Sequence, residues 1–358
     1  MHESRAVLRG LATASPGDPV SQERLKGILS DLWIGSDAKL RTMLNVFDSS
    51  GVKTRHFALP LEEYAALGTF AERNTRYVAC ARALDVEAST KALARAGLSP
   101  EDVTHVVFVS STGIATPSLD AHLINDLPLP GSVRRCPLWG LGCGGGGAAL
   151  GLAADLARTS PDAVVLVVVI ELCSLAFVPG DRTKLNLVAS ALFGDGAAAA
   201  VVAGSGRGIE LLGHRTTTWP GTLDMMGWDL TEQGLSLVLS RSLPAFARER
   251  MGPVVDDLRA AAGWEQGEMP AFLAIHPGGP KVLEALAESL GAPPALLAPA
   301  RRVLARHGNM SAPTFLYVLD EILSETPEPD GPGIYSVLGP GFTCDIGILV
   351  PAAVHAAR

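Results

Sequence analysis

A glycine-rich turn around one cysteine constrains the fold of this 358-residue chain more than any other stretch. Residues 137–147 read Pro-Leu-Trp-Gly-Leu-Gly-Cys-Gly-Gly-Gly-Gly, and residues 148–157 are mostly alanine and leucine at helical spacing. Because glycine permits a tight turn and alanine and leucine favour a helix, Cys143 should lie between an extended segment and a helix N-terminus. The unpaired N–H groups and the helix dipole there would lower the pKa of the thiol, and the glycines leave room for a substrate carbonyl.

A second interpretation of Cys143 is a small buried apolar residue, which is the usual role of a free cysteine. One histidine and one asparagine further along the chain favour the nucleophile. His276 follows the predicted strand 271–275, and Asn309 precedes the predicted helix 314–323. Loops at the ends of such elements can bring remote side chains together. We therefore expect Cys143 as nucleophile, His276 as its base or ion-pair partner, and Asn309 as an amide donor to a developing oxyanion.

His276 and Asn309 also have plain structural interpretations. His276 could close a turn, and Asn309 could cap a helix that begins at Ser311. A metal site is not expected, because His276 and His307 lack the spacing of metal ligands and no cluster of cysteine, histidine and carboxylate residues accompanies them.

Composition and charge argue against several classes of protein. Hydrophobic residues make up 47% and charged residues 18% of the chain, which fits a compact enzyme better than a disordered protein. A net charge of −8 without a lysine or arginine cluster argues against nucleic-acid binding. The longest apolar run, residues 163–170, is much shorter than the roughly 20 residues of a membrane-spanning helix. Five cysteines without paired spacing and the absence of a signal peptide predict a cytoplasmic protein.

The length of the chain exceeds that of a single core, so two domains or two fused halves are expected. Residues 1–210 carry Cys143, and residues 211–358 carry His276 and Asn309. Each half contains a strand, a site loop, a helix, a glycine turn and an apolar strand. This pattern predicts a duplicated α/β core whose catalytic residues meet at a pseudo-twofold axis.

Five motifs, in this order, resemble those of the type III polyketide synthases, the chalcone synthase superfamily. They are the turn around Cys143, Leu-Phe-Gly-Asp-Gly-Ala-Ala at 192–198, His-Pro-Gly-Gly-Pro at 276–280, Gly-Asn-Met-Ser at 308–311 and Gly-Pro-Gly-Phe-Thr at 339–343. The resemblance covers nearly the whole chain and implies a homodimer with a thiolase-like αβαβα fold of five layers. It also implies an acyltransferase that loads an acyl-CoA starter on the cysteine, decarboxylates malonyl-CoA and extends the chain by Claisen condensation. Such enzymes need no acyl carrier protein, and we expect no cofactor beyond the CoA thioester substrates.

The same resemblance assigns roles to individual residues. It makes Cys143, His276 and Asn309 the catalytic triad and Phe193 a gatekeeper between the CoA tunnel and the cavity, whereas the local pattern around Phe193 favours a core residue. The other implied substrate contacts are Ser111, Thr112, Thr116 (from the partner subunit of the dimer), Cys173, Ala176, Leu237, Ser311, Pro340 and Gly341. The CoA contacts that we expect are Lys53, Arg55, Gly279 and Lys281. Lys53 and Arg55, two positions apart in a strand-like segment, point the same way and suit a phosphate, but a solvated charged loop explains them as well.

Departures from the family pattern bear on the substrate. Leu237 stands where a second aromatic gatekeeper is usual, and plant members carry basic CoA-binding residues at positions occupied here by Thr42, Asn45 and Ser49. Cys173 resembles the cavity cysteine of bacterial members that accept fatty acyl starters, whereas Ser111 stands where naphthalene-forming members tend to have a cysteine. Together with the small side chains of the cavity, these positions predict a medium- or long-chain fatty acyl-CoA starter and an alkylpyrone or alkylresorcinol product.

Three alternatives remain open from the sequence. A β-ketoacyl carrier-protein synthase III has the same types of triad residue, but the His-Pro-Gly-Gly-Pro motif and the acidic chain argue against it. A papain-like Cys-His-Asn hydrolase has the same residue order, but it carries its cysteine near the N-terminus beside a tryptophan. A thiolase-fold binding protein would not need all three of Cys143, His276 and Asn309.

Overall fold

The computed structural model describes residues 5–34, 41–176, 178, 181, 183–264 and 268–352. Within these ranges the strands are β1 (Val7–Ala14), β2 (Val20–Ser21), β3 (Thr54–Arg55), β4 (His105–Val109), β5 (Arg134–Leu138), β6 (Val164–Leu172), β7 (Asp195–Ala203), β8 (Ile209–Thr218), β9 (Met226–Thr231), β10 (Gly234–Leu239), β11 (Phe272–Ile275), β12 (Gly333–Gly339) and β13 (Thr343–Pro351). The helices are α1 (Gln22–Ile28), α2 (Asn45–Ser49), α3 (Phe70–Ala96), α4 (Leu119–Asp126), α5 (Gly145–Ala157), α6 (Cys173–Ala176), α7 (Lys184–Leu192), α8 (Leu243–Ala261), α9 (Pro280–Leu290), α10 (Ala298–His307) and α11 (Thr314–Glu325).

The two halves of the chain repeat one strand arrangement. Nine strands pair in the order β11-β12-β13-β8-β1-β7-β6-β4-β5. In the first half β4 and β6 are parallel, and β6, β7 and β1 follow in antiparallel pairs. In the second half β11 and β12 are parallel, and β12, β13 and β8 follow in antiparallel pairs. Strands β1 and β8 join these two arrangements through the residue pairs Val7 with Glu210 and Leu8 with Ile209. The predicted duplication is therefore present in the topology, with β8 beginning at Ile209, just before the predicted boundary.

Helices cover both faces of each half of the sheet, which gives the five layers of the predicted αβαβα fold. Helix α3 packs on the outer face of the first half, and α8 lies on the outer face of the second half with α9 packed against it. Helices α5 and α11 lie between the two halves and contact strands of both. Strand β7 is mostly alanine, and its side chains alternate between two cores: Ala198 and Ala200 face the central layer, and Ala197 and Ala199 face α3.

The boundaries of α3 show how local signals set the elements. The sequence predicts a helix from 64 to 96, and the helix ends at Ala96 as expected, with Gly97 in the left-handed conformation. It begins only at Phe70, because Thr69 and Glu72 form a capping box there. No helix in the described ranges is long and apolar enough to span a bilayer.

Candidate active site

Cys143 lies in a single 3-10 turn, Gly142–Gly144, that leads directly into α5. Gly142 has a φ of +46°, and an added Cβ would lie 2.9 Å from the ring of Pro340. At Gly146 an added Cβ would come within 2.5 Å of the carbonyl oxygen of Ala312, which belongs to the second half of the chain. The glycines therefore allow α5 to approach the second half closely, and this brings the Cys143 turn to the loops that carry the histidine and the asparagine.

His276 follows β11, and its backbone N–H donates to the carbonyl of Ser336 on β12 at 3.0 Å. Its carbonyl accepts a hydrogen bond from the N–H of Gly278, so the residue also closes a turn. The side chain is 4% exposed, and neither ring nitrogen has a hydrogen-bond partner among the described residues. Burial lowers the pKa of His276 to about 4, because the imidazolium is poorly solvated there. The ring is therefore neutral at neutral pH and free to accept a proton.

Asn309 is buried and is held by contacts on both ends of its amide. Its Oδ1 accepts a hydrogen bond from the N–H of Ser311 at 2.7 Å, and its Nδ2 donates to the carbonyl of Gly278 at 3.4 Å. Helix α11 begins at Thr314, so the interpretation of Asn309 as the cap of a helix starting at Ser311 is wrong. The longer of the two contacts leaves the amide N–H group able to donate to a substrate oxygen.

One cavity of about 560 Å³, hereafter the main cavity, is lined by Cys143, His276 and Asn309 together. Ser311 also lines it, and the thiol of Cys143 donates to the Ser311 hydroxyl at 3.5 Å. The structure thus brings to one chamber the three residues that the sequence placed on remote segments. Leucine and valine side chains form much of the remaining wall, so the environment is weakly polar.

The expectation of a lowered thiol pKa is wrong. The pKa of Cys143 is raised to about 11, chiefly by burial, while hydrogen bonds with Ser311 and Asn309 lower it and the nearby carboxyl of Glu171 raises it. Loss of hydration therefore outweighs the favourable end of α5. Cys143 is therefore a neutral thiol at neutral pH.

Phe193, Trp228 and Leu237 separate the main cavity from a smaller side pocket of about 130 Å³, since all three line both. Trp228 and Leu237 are directly opposite each other in the β9–β10 hairpin, and the rings of Phe193 and Trp228 are 6.5 Å apart. Cys173 and Ala176 line the side pocket. Phe193 is thus a half-buried wall residue, where its local sequence pattern favoured the core.

Behind the Cys143 turn lies a buried carboxyl group, Glu171, which sequence reasoning missed. Its oxygens accept hydrogen bonds from the N–H of Ser111 at 3.0 and 3.1 Å and from the hydroxyl of Thr112 at 2.7 Å. The Ser111 hydroxyl in turn accepts from the N–H of Gly142 at 3.1 Å. The prediction of Ser111 and Thr112 as cavity residues is therefore corrected: both contact Glu171 and are absent from the described lining of the main cavity. The sequence signal that could have revealed Glu171 is its position as the one charged residue in the apolar strand 164–172.

The protonation of Glu171 gives a pH-dependent stability. Its pKa is raised from an ordinary value of 4.5 to about 7, chiefly by burial, and its hydrogen-bond donors oppose only part of that effect. The folded protein holds this proton more tightly, so the stability it contributes is fully present below pH 4.5 and is lost as the pH rises to 7. Across that range the unfolding free energy of the wild type should fall by about 3 kcal/mol relative to that of Glu171→Gln, which cannot titrate. Urea unfolding of both proteins measures this difference, and parallel pH curves would contradict it.

Three cationic side chains are among the described residues that line the main cavity. Lys281 was predicted as a CoA contact. Lys184, the first residue of α7, and Arg241, which follows β10, were missed because neither belongs to a recognised motif. All three are exposed to solvent, as expected at a cavity mouth. Lys53 is exposed too, but it is not part of the described lining.

Arg55 is the largest correction among the predicted CoA contacts. Its side chain is 1% exposed and donates to the carbonyl of Phe193 and to Oε1 of Gln22. An arginine buried in this way cannot contact a phosphate at the surface. The sequence pattern placed Lys53 and Arg55 on one face of a strand. It did not show that the rest of the chain would bury Arg55 and leave Lys53 exposed.

The remaining predicted residues divide between the cavity and its surroundings. Pro340 lines the main cavity, whereas Gly279 and Gly341 adjoin it without belonging to its described lining. Thr116 is exposed on the loop between β4 and α4. The β9–β10 hairpin, which supplies Trp228, was not predicted, because its alternation of polar and apolar residues is irregular.

Comparison with known proteins assigns the chain along nearly its whole length. The family model for the N-terminal domain of chalcone and stilbene synthases matches residues 1–206, and that for the C-terminal domain matches residues 210–352. A putative chalcone synthase of Bacillus subtilis is 34% identical over 95% of this chain and 97% of its own length. A 1,3,6,8-tetrahydroxynaphthalene synthase of Streptomyces peucetius subsp. caesius is 36% identical over 94% of this chain and 91% of its own length. The crystal structure of 1,3,6,8-tetrahydroxynaphthalene synthase from Streptomyces coelicolor A3(2), a bacterial type III polyketide synthase, matches with a TM-score of 0.91 at 30% identity, over 96% of this chain and 99% of that one.

Proposed function

Since the chain belongs to the chalcone and stilbene synthase family of type III polyketide synthases, we propose that Cys143, His276 and Asn309 perform its decarboxylating condensation of CoA thioesters. The observation that carries this assignment is their convergence, from both halves of the chain, on one weakly polar cavity. The match along both halves favours this activity over a carrier-protein synthase, a cysteine hydrolase or a binding protein that has lost catalysis.

In the loading step, the Cys143 sulfur attacks the carbonyl carbon of the acyl-CoA starter. The neutral ring of His276 accepts the thiol proton as the new carbon–sulfur bond forms. The bond to CoA then breaks, and the CoA sulfur leaves with that proton. The pKa of the Cys143 thiol is raised and that of the His276 ring is lowered, so a thiolate–imidazolium pair is poorly stabilised in the buried site. The proton therefore moves from sulfur to ring only while the sulfur bonds to the acyl carbon.

In the extension step, the carbon–carbon bond to the malonyl carboxylate breaks and CO2 leaves. The electron pair becomes an enolate, with negative charge on the thioester oxygen. The Asn309 amide and a ring N–H of His276 stabilise that oxygen by hydrogen bonds, and the amide cannot give up a proton that would quench the carbanion. The carbanion attacks the acyl group on Cys143, the new carbon–carbon bond forms, and the bond to the sulfur breaks. The sulfur leaves as a thiolate and regains its proton from solvent, because His276 passed the thiol proton to CoA during loading and is neutral again.

The side pocket supports a medium- or long-chain fatty acyl starter and an alkylpyrone or alkylresorcinol product. Apolar residues make up much of its wall: Leu25, Ile28, Leu29, Phe57, Leu61, Val178 and Leu235. Each methylene group buried against such a wall adds about 0.8 kcal/mol to binding. An alkyl chain bound there would lie beyond Phe193 and Trp228, with its thioester in the main cavity beside Cys143.

A second candidate is the formation of a naphthalene-type product from malonyl-CoA alone. The specific observation that favours it is the 36% identity to a protein named 1,3,6,8-tetrahydroxynaphthalene synthase. A malonyl starter makes no use of the apolar side pocket, so the two candidates differ in what that pocket does. Neither needs a cofactor beyond the CoA thioesters.

The exposed cations and one sheet edge support two further parts of this proposal. Lys184, Arg241 and Lys281 at the mouth of the main cavity are suited to the phosphates of CoA.

Strand β5 lies at the edge of the sheet, and the nearby Trp139 is 58% exposed, which supports a homodimer formed through this edge. The free cysteines are consistent with a cytoplasmic location.

Product mass spectrometry with malonyl-CoA and a panel of acyl-CoA starters tests the proposed function. We expect pyrone or resorcinol products with fatty acyl starters. Trp228→Ala removes the largest barrier before the side pocket, so kcat/KM for a long starter relative to a short one should rise about tenfold. Leu230→Ala, at a residue of the same hairpin that is 70% exposed and absent from the described lining of both cavities, is the matched control and should leave this ratio unchanged. Products from malonyl-CoA alone, with no starter incorporated, would contradict the fatty acyl assignment and support the second candidate.

A further inference from the structure

Arg55 is a buried cation that the proposed reaction does not use. Its guanidinium donates to the carbonyl of Phe193 at 2.5 Å and to Oε1 of Gln22 at 2.6 Å. Burial lowers the pKa of Arg55 to about 9, and the carboxyl of Asp195 opposes that shift. The guanidinium also lies 5.6 Å from the ring centre of Phe57. The Arg55 side chain is thus a buried cation held by hydrogen bonds to Phe193 and Gln22.

Gln22 extends the reach of this arginine to the end of α7. Its Nε2 donates to the carbonyl of Ala191 at 2.8 Å and to the hydroxyl of Ser50 at 3.0 Å. Arg55 and Gln22 together therefore bind two carbonyls, those of Ala191 and Phe193, where α7 ends and the wall of the main cavity begins. These contacts hold the backbone around Phe193 by two buried side chains that are not among the described residues lining the main cavity.

The backbone of Phe193 is in turn bound to that of Asn309. The N–H of Asn309 donates to the carbonyl of Leu192 at 2.9 Å, and the N–H of Gly194 donates to the carbonyl of Asn309 at 3.0 Å. These two bonds form a parallel bridge between Phe193 and Asn309. A shift of the Phe193 segment would therefore move Asn309 with it.

The stem of Arg55 also packs directly against the two glycines that flank this bridge. An added Cβ at Gly194 would lie 3.2 Å from Cβ of Arg55, and one at Gly308 would lie 3.0 Å from its Cδ. Gly308 precedes Asn309 and has a φ of +69°. Arg55 therefore touches both segments of the bridge, by hydrogen bonds on the Phe193 side and by close packing on the Asn309 side.

We propose that Arg55 is a positioning residue that holds Asn309 and Phe193 in register, so that the Asn309 amide reaches the enolate oxygen formed during decarboxylation. The inference rests on the role proposed above for Asn309. Loading of Cys143 does not depend on that amide to the same degree, so a loss of register affects decarboxylation more than loading.

Arg55→Lys tests this role, because lysine keeps the charge but lacks the planar guanidinium whose two terminal nitrogens each donate to a separate acceptor. Malonyl-CoA decarboxylation, measured as CO2 release, should fall at least about tenfold, and loading of Cys143 by an acyl-CoA, measured by protein mass, should fall less than about threefold. The KM for malonyl-CoA should change little, since Arg55 does not reach CoA. Arg259→Lys, a comparably buried arginine on α8, is the matched control and should leave both rates unchanged. Where Arg55→Lys does not fold, Gln22→Leu removes one of the two acceptors and should give the same selective loss.

A double-mutant cycle separates positioning from general damage. In an Asn309→Ala background, Arg55→Lys should change decarboxylation less than about twofold, because the group it positions is gone. The proposal is overturned if loading and decarboxylation fall equally, if Arg55→Lys has the same effect in both backgrounds, or if it raises only the KM for CoA thioesters. A wild-type enzyme that does not decarboxylate malonyl-CoA would instead overturn the proposed function and this inference with it.

Discussion

Replacing Cys143 with alanine is expected to abolish product formation from any acyl-CoA and malonyl-CoA. The alanine side chain cannot form the thioester on which every extension takes place, so the rate should fall at least about a thousandfold. Because the Cys143 side chain is small and buried, alanine should be accommodated without unfolding the protein. Product mass spectrometry after long incubation measures the loss.

The matched control is Cys80→Ala, which removes a free thiol on α3 that lies outside the main cavity. This variant should retain activity. Product formation by Cys143→Ala at more than a small fraction of the wild-type rate would show that the acyl group is carried elsewhere.

Replacing Asn309 with alanine should separate the two half-reactions. Removal of one donor to an oxyanion lowers rates by about a hundredfold in other enzymes, and the enolate that follows CO2 loss is the oxyanion assigned to Asn309. Decarboxylation should therefore fall about a hundredfold, while loading of Cys143 should fall much less.

Asn309→Asp is the control for local structure. An aspartate keeps the oxygen that accepts the N–H of Ser311 at 2.7 Å, but it has no amide N–H and adds negative charge beside the enolate. It should lose decarboxylation at least as severely as the alanine variant. Equal loss of loading and decarboxylation in both variants would contradict the role assigned to Asn309.

The fold and the three site residues were accessible from the sequence because strong local signals mark them. Gly142 and the four glycines at 144–147 are needed where α5 approaches the second half, and one apolar strand ends directly before the histidine. The repeat of strand order was also predictable as architecture. Its register was not, since pairing such as Val7 with Glu210 depends on residues far apart in the chain.

The predictions from sequence were wrong where burial sets the pKa or the contacts of a side chain, because residue type and spacing do not show which residues are buried. The helix end near Cys143 predicted a thiolate, but loss of hydration raises its pKa to about 11. Arg55 and Lys53 share a segment, yet only Arg55 is covered by the chain. Ser111 and Thr112 contact Glu171, a partner supplied by another strand. Such contacts follow from tertiary packing and have no short-range signature.

The mass of the intact protein after incubation with a fatty acyl-CoA, in the absence of malonyl-CoA, shows whether Cys143 carries the starter as a thioester. We expect an increase equal to one acyl group, reversed by hydroxylamine and located by peptide mapping on the fragment that contains Cys143. An unmodified protein, or an acyl group on Cys173 or another residue, would contradict it.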